Sequence, residues 1–246
     1  MFKYELYMFN FSNLSEQNFT SNAGAYLRPY DIYTVNLTKI EKTVLKGSKD
    51  PNAEYPVVAL EFTGTGDNKG TFSTNLFIPQ SKEDGVRPTY KNNEGHEYER
   101  PSRFENFQYT LMQIVSVLNP DGAKKIQENG KKLQAALDKD LNTGINLFID
   151  LVIKALNGKN NIETNLKLVG RNNNGTVYAA LPQACGLNKA GEVFPVNFIG
   201  ENLFFTNYEL TQQKAYQNAK PTKMDSIDNN PDENTSDDLD VSDLDL

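Results

Sequence analysis

Few residues of this chain could make or break bonds, and their scarcity narrows the reading at once. Among 246 residues there is one histidine, His96, and one cysteine, Cys185. His96 stands in the polar run Asn92-Asn93-Glu94-Gly95-His96-Glu97, which reads as a solvated loop. Cys185, in Leu181-Pro182-Gln183-Ala184-Cys185-Gly186, has no identifiable base to make it a nucleophile. One cysteine and one histidine exclude an internal disulfide and a Cys/His zinc cluster. Paired carboxylates for metal-dependent phosphoryl chemistry need strand ends to hold them. Glu61 has only Glu41 as a sheet companion, and the clustered aspartates fall at the C-terminus. The glycine-rich run Gly64-Thr65-Gly66-Asp67-Asn68-Lys69-Gly70 matches neither nucleotide-loop spacing and joins two strands. The expectation is a protein that is not an enzyme and uses no cofactor or metal.

The chain does interleave cations with aromatic rings, the two ingredients that single-stranded nucleic acid requires. Phosphates need positive charge along their path, and unpaired bases need planes on which to stack. Lys39 and Lys42 lie on the first predicted strand, with Lys46 and Lys49 after them, and Lys69 tips the first hairpin. Phe72 shares a side with Leu76 and Ile78 and so belongs to the core, whereas Phe77 points to the polar side. A long polar loop, 79–101, contributes Tyr90, Lys91, Tyr98 and Arg100 as contacts, with Lys82 and Arg87 earlier and Arg103 just beyond it. On a second hairpin Lys167 faces away from Leu166 and Leu168, Arg171 tips the turn and Tyr178 opposes Val177.

These residues depend on elements whose patterns are readable. Segments 33–45, 55–63 and 71–78 alternate β-branched or aromatic residues with polar ones, as half-buried strands do. In the first, the phase slips between Leu37 and Ile40, which predicts a bulge. Ser102 and Glu105 form a capping box. Phe107, Leu111, Ile114, Val115 and Leu118 then mark one helical face that stops at Asn119-Pro120. A weaker helix is expected over about 121–138, interrupted by Gly130, and a third over about 143–156. Strands return around 162–168 and 177–181, joined by Asn172-Asn173-Asn174-Gly175, and 193–205 could add an edge strand. Three strands, a helical insert of about 102–157 and two strands fit a five-stranded OB-like barrel with its insertion between strands 3 and 4 enlarged. A β-rich α+β sheet with helices on one side fits the same order.

The charge is unevenly placed. The net −7 conceals a segment, 221–246, with nine acids against Lys223 alone. Residues 1–220 are left with 24 bases and 23 acids, or +1. The reading is one domain over 1–220 followed by an acidic tail too poor in apolar residues to fold. The tail closes on an acidic run with spaced apolar residues, Asp237, Asp238, Leu239, Asp240, Val241, Ser242, Asp243, Leu244, Asp245 and Leu246. Such a tether would compete with nucleic acid for a cationic groove and could dock a partner protein. No stretch approaches a membrane span. Lys3 and Glu5 near the start do not suit a signal peptide, so a reducing cytoplasm is expected.

The strand order, the phrase Leu166-Lys167-Leu168-Val169 with Gly175-Thr176-Val177-Tyr178-Ala179-Ala180-Leu181-Pro182, and the closing acidic run together resemble phage single-stranded DNA-binding proteins. The resemblance implies a protein that coats exposed strands during DNA replication and recombination in the cytoplasm of a bacterial host. It also implies a tail that recruits a polymerase, helicase or recombinase, with self-association of copies left open. The chain departs from that pattern in ending on leucine, in lacking tryptophan and a zinc subdomain, and in its large insert. The rival reading is a virion assembly protein, with the aromatic segment Phe2, Tyr4, Tyr7, Phe9, Phe11, Phe19, Tyr26 and Tyr30 as an assembly arm.

Overall fold

The computed structural model describes residues 26–218, excepting 48–49, 51, 67–68 and 93. The acidic tail 221–246 and most of the aromatic N-terminal segment lie outside the described residues. In chain order the strands and helices begin with β1 (Asp31–Lys46), β2 (Glu54–Gly64), β3 (Thr71–Phe77), β4 (Thr89–Lys91) and β5 (Glu97–Glu99). The insert follows as α1 (Arg103–Leu118), α2 (Pro120–Glu128), α3 (Gly130–Lys139) and α4 (Leu141–Leu156). Then come β6 (Glu163–Asn173), β7 (Thr176–Ala180), β8 (Cys185–Leu187), β9 (Val193–Pro195) and α5 (Asn207–Asn218).

Five strands form one antiparallel sheet in the order β3-β2-β1-β6-β7. Its two faces follow from alternation along the strands. One face carries Tyr33, Val35, Leu37, Leu60, Phe62, Phe72 and Leu166, all buried in a single core with Leu111, Ile114, Phe148 and Ile149 of the insert. The other face is polar, with Thr34, Thr38, Lys39, Glu61, Ser73 and Asn165. The predicted bulge is present, because the register shifts between Leu37 and Lys39. Thr38 and Lys39 therefore both lie on the polar face, against Glu61, and the Thr38 hydroxyl donates to Glu61 Oε1 at 3.2 Å.

The sheet is not a closed barrel: β3 and β7 are its edges, and they do not pair with each other. A sheet closes in order to bury its inner face on itself. Here α1 and α4 already bury that face, so closure has no apolar surface left to hide. The insert itself forms as its signals require. Ser102 Oγ accepts from the Glu105 amide at 3.1 Å and Glu105 Oε2 accepts from the Ser102 amide at 2.8 Å, completing the capping box of α1. The single helix expected over 121–138 is two, α2 and α3, broken at Asn129, whose side-chain amide donates back to the Lys125 carbonyl at 2.8 Å. The edge strand expected over 193–205 is reduced to β9, which pairs with β8 apart from the main sheet. Residues 198–200 instead run along β6, where the Lys167 amide donates to the Phe198 carbonyl at 2.8 Å. The helix α5 answers to no sequence expectation. No helix of the described residues is long and apolar enough to cross a membrane.

Candidate nucleic-acid interface

The expected contacts are distributed over several places, and three of those places gather aromatic rings. The loop 79–101 is ordered by a short hairpin in which Tyr90 stands directly opposite Tyr98. Asn92 closes its turn by accepting at Oδ1 from the amides of Glu94 (3.0 Å) and His96 (2.9 Å). The two tyrosine rings stack with centroids 6.0 Å apart, and each remains 41% exposed. The Arg100 guanidinium lies 4.2 Å from the Tyr90 ring centre and donates to the Tyr98 hydroxyl at 3.1 Å. A cation over one ring and bonded to the other fixes both planes while leaving them open to solvent.

This hairpin is braced at its base. Arg87 forks onto Glu105, with Nε–Oε1 at 3.1 Å and Nη2–Oε1 at 2.8 Å, and its Nη1 donates to the Gly191 carbonyl at 2.8 Å. Glu105 thus caps α1 and anchors the hairpin together, and the Arg87 bonds hold its carboxyl below the usual range despite partial burial. Beside Tyr98 and Arg100 lies an open cavity of about 350 Å³, lined also by Pro101, Pro182, Gln183, Cys185 and Glu209.

The second place is the tip of the β6–β7 hairpin, where Arg171 and Tyr178 face each other across the strands and both are exposed. The turn needs left-handed backbone at two successive positions, supplied by Asn174 (φ 48°) and Gly175 (φ 85°). The third is Phe77, 57% exposed and edge-on to Tyr55 at 6.3 Å, at the end of β3.

The expected lysines fare differently. Lys39 and Lys42 lie on opposite faces, because beyond the bulge they are three residues apart, Lys39 opposite Glu61 and Lys42 opposite Val58. Lys39 is held by Glu41 at 2.7 Å. Lys42 turns toward the insert, donating to Asn146 Oδ1 at 3.1 Å with Asp150 at 3.5 Å. Lys91 is paired with Glu97 at 3.1 Å, and Lys69 is exposed. Lys167 corrects its expectation most sharply. Alternation sends it outward, but it is 2% exposed, with Nζ 3.0 Å from each carboxylate oxygen of Glu209 and 3.1 Å from the Phe204 carbonyl. The cover is α5 and the segment before it, 37 to 42 residues away in sequence, a contact no local pattern announces.

No family model, no curated protein and no solved structure matches this chain.

Proposed function

We propose that the protein binds single-stranded DNA without cutting or copying it, in the manner of the phage single-stranded DNA-binding proteins that its sequence resembles. The observation that carries this reading is the Tyr90–Tyr98–Arg100 cluster: two stacked, half-open rings fixed by one guanidinium on a hairpin with no apolar core of its own. Base-on-ring stacking contributes about 1–3 kcal/mol per base, against about 0.2–1 kcal/mol for an exposed ion pair. With Lys39, Lys42 and Lys91 already paired, stacking dominates and the cations guide. The hydroxyls and amides on the open sheet face, among them Thr34, Thr63, Ser73 and Asn165, suit phosphate and sugar contacts that carry no base preference. The order β3-β2-β1-β6-β7 supports this reading, since an OB barrel opened between its third and fifth strands would have the same order, and OB folds bind oligonucleotides on the face of their second and third strands. On this reading the acidic tail restrains the groove and delivers the protein to replication or recombination partners in a host cytoplasm.

The test is fluorescence anisotropy of a labelled thymidine 20-mer at two salt concentrations, with wild type and with Tyr90→Ala/Tyr98→Ala. Binding that weakens about 30-fold or more in the double variant supports the reading, at ~2 kcal/mol or more for two lost stacking planes. Absence of binding by the wild type at low salt refutes it.

A further inference from the structure

Lys167 is the only lysine or arginine buried among the described residues, and its neutralising carboxylate comes from a helix that buries no side chain of its own. Among the described residues, three contacts tie α5 to the body. They are the Lys167–Glu209 pair, a bond from Gln213 Nε2 to the Tyr30 carbonyl at 2.8 Å, and the Tyr216 ring 5.7 Å from that of Tyr30. Tyr208 on the same helix is 73% exposed. A helix of 12 residues is marginal in water unless an apolar face is packed, and α5 packs none. It belongs to the least stable part of the fold.

Its position is nonetheless central to the candidate interface. Glu209 borders the cavity beside Tyr98 and Arg100. Beneath it, Lys167 shares the outward side of β6 with Arg171, four positions along, and Arg171 faces Tyr178. A strand leaving the tyrosine platform through the cavity toward Arg171 meets the Glu209 carboxylate first, a like charge that its phosphates repel.

We propose that α5 is a displaceable cover and that Lys167 is a latent phosphate site beneath it. A backbone phosphate of the bound strand takes the place of the Glu209 carboxylate on the Lys167 ammonium, and α5 leaves the sheet. The exchange is of hydrogen-bond acceptors only: an anionic oxygen replaces an anionic oxygen, and no covalent bond changes. The inference rests on the single-strand reading above and adds to it which cation is held in reserve and what holds it.

Hydrogen exchange of the full chain with and without a thymidine 20-mer, alongside anisotropy, tests the cover. DNA should speed exchange of the 207–218 amides while slowing that of 97–100. Glu209→Gln should free α5 without DNA and tighten binding roughly tenfold, as expected when a cover closed about nine-tenths of the time is removed. Lys167→Met should also free α5, yet without the tenfold gain and with a salt slope shallower by about 0.7, the loss of one phosphate contact. If wild type binds while its 207–218 amides are unchanged, and Glu209→Gln binds like wild type, the cover is overturned and the single-strand reading stands. If no form binds at low salt, both fall.

Discussion

At the scale of single residues, charge already committed to a partner is worth little to a ligand. Lys39 and Lys42 each hold a carboxylate within 3.5 Å, so Lys39→Gln and Lys42→Gln should change oligonucleotide affinity less than twofold. Arg100→Gln should flatten the salt dependence by about 0.7 and weaken binding severalfold, since it removes a phosphate guide and unlocks both tyrosines. Equal losses from all three variants in the same titrations would contradict the pairing argument. Glu105 gives a second prediction at this scale. Its native carboxyl lies below the ordinary glutamate value of about 4.3, so its contribution to stability is full above that value. That contribution is lost as pH falls through the lowered native value. In Glu105→Gln the melting temperature should therefore fall less steeply than in wild type between about pH 5 and 3, and parallel curves would count against the bridge.

At the scale of elements, the insert and the C-terminal helix stand at opposite ends of stability. A Cβ placed on Gly144 would lie 2.6 Å from the Leu137 backbone, so α3 and α4 touch there with no room for a methyl group. Glycine to alanine in a helix ordinarily gains about 1 kcal/mol. Here the overpacking cost of about 1–3 kcal/mol should exceed it. Gly144→Ala is thus expected to lower the denaturant midpoint, and a raised midpoint would show that the two helices separate easily. For α5 the logic reverses. Losing one partner of a buried ion pair usually costs about 3–5 kcal/mol. Because α5 can leave and return Lys167 to water, Glu209→Gln should cost only the docking of that helix, about 1.4 kcal/mol for a cover closed nine-tenths of the time. The same contrast explains what the sequence made legible. The strands, the bulge after Leu37, the capping box at Ser102 and the Asn174-Gly175 turn are local devices, readable within a few residues. Tyr90, Tyr98 and Arg100 are readable one by one as residues of a polar loop, but nothing in the charged sequence around them announces the three-residue strands that align Tyr90 with Tyr98. The burial of Lys167 was not legible, since alternation sees only its own strand, and Asn207–Asn218 has no apolar stripe to signal docking.

At the scale of the whole molecule, the sheet's open edges follow from the insert, and the balance of charge follows from the tail. Removing 221–246 changes the chain from −7 to +1, so a form ending at Lys220 should bind oligonucleotide more tightly, most clearly at low salt. Unchanged affinity on truncation would deny the tail any restraining role. The order of strands was legible because each connection is a hairpin or one long helical excursion. The failure of the barrel to close was not, because it depends on how much of the inner face four helices can cover, a quantity of volume rather than of pattern.

The one thiol of the chain sits on the lining of the cavity beside the platform, 1% exposed, with Sγ 3.5 Å from Asn106 Oδ1 and burial pushing it up to about 11. At pH 8 only on the order of a thousandth of it is thiolate, so an alkylating dye in the solvent should find the native protein nearly inert. Every labelling event then records a moment when that wall has parted. A thiol installed by nature at this spot is a stopwatch for breathing of the cavity wall, read without any engineered probe. A strand seated in the cavity should slow the clock.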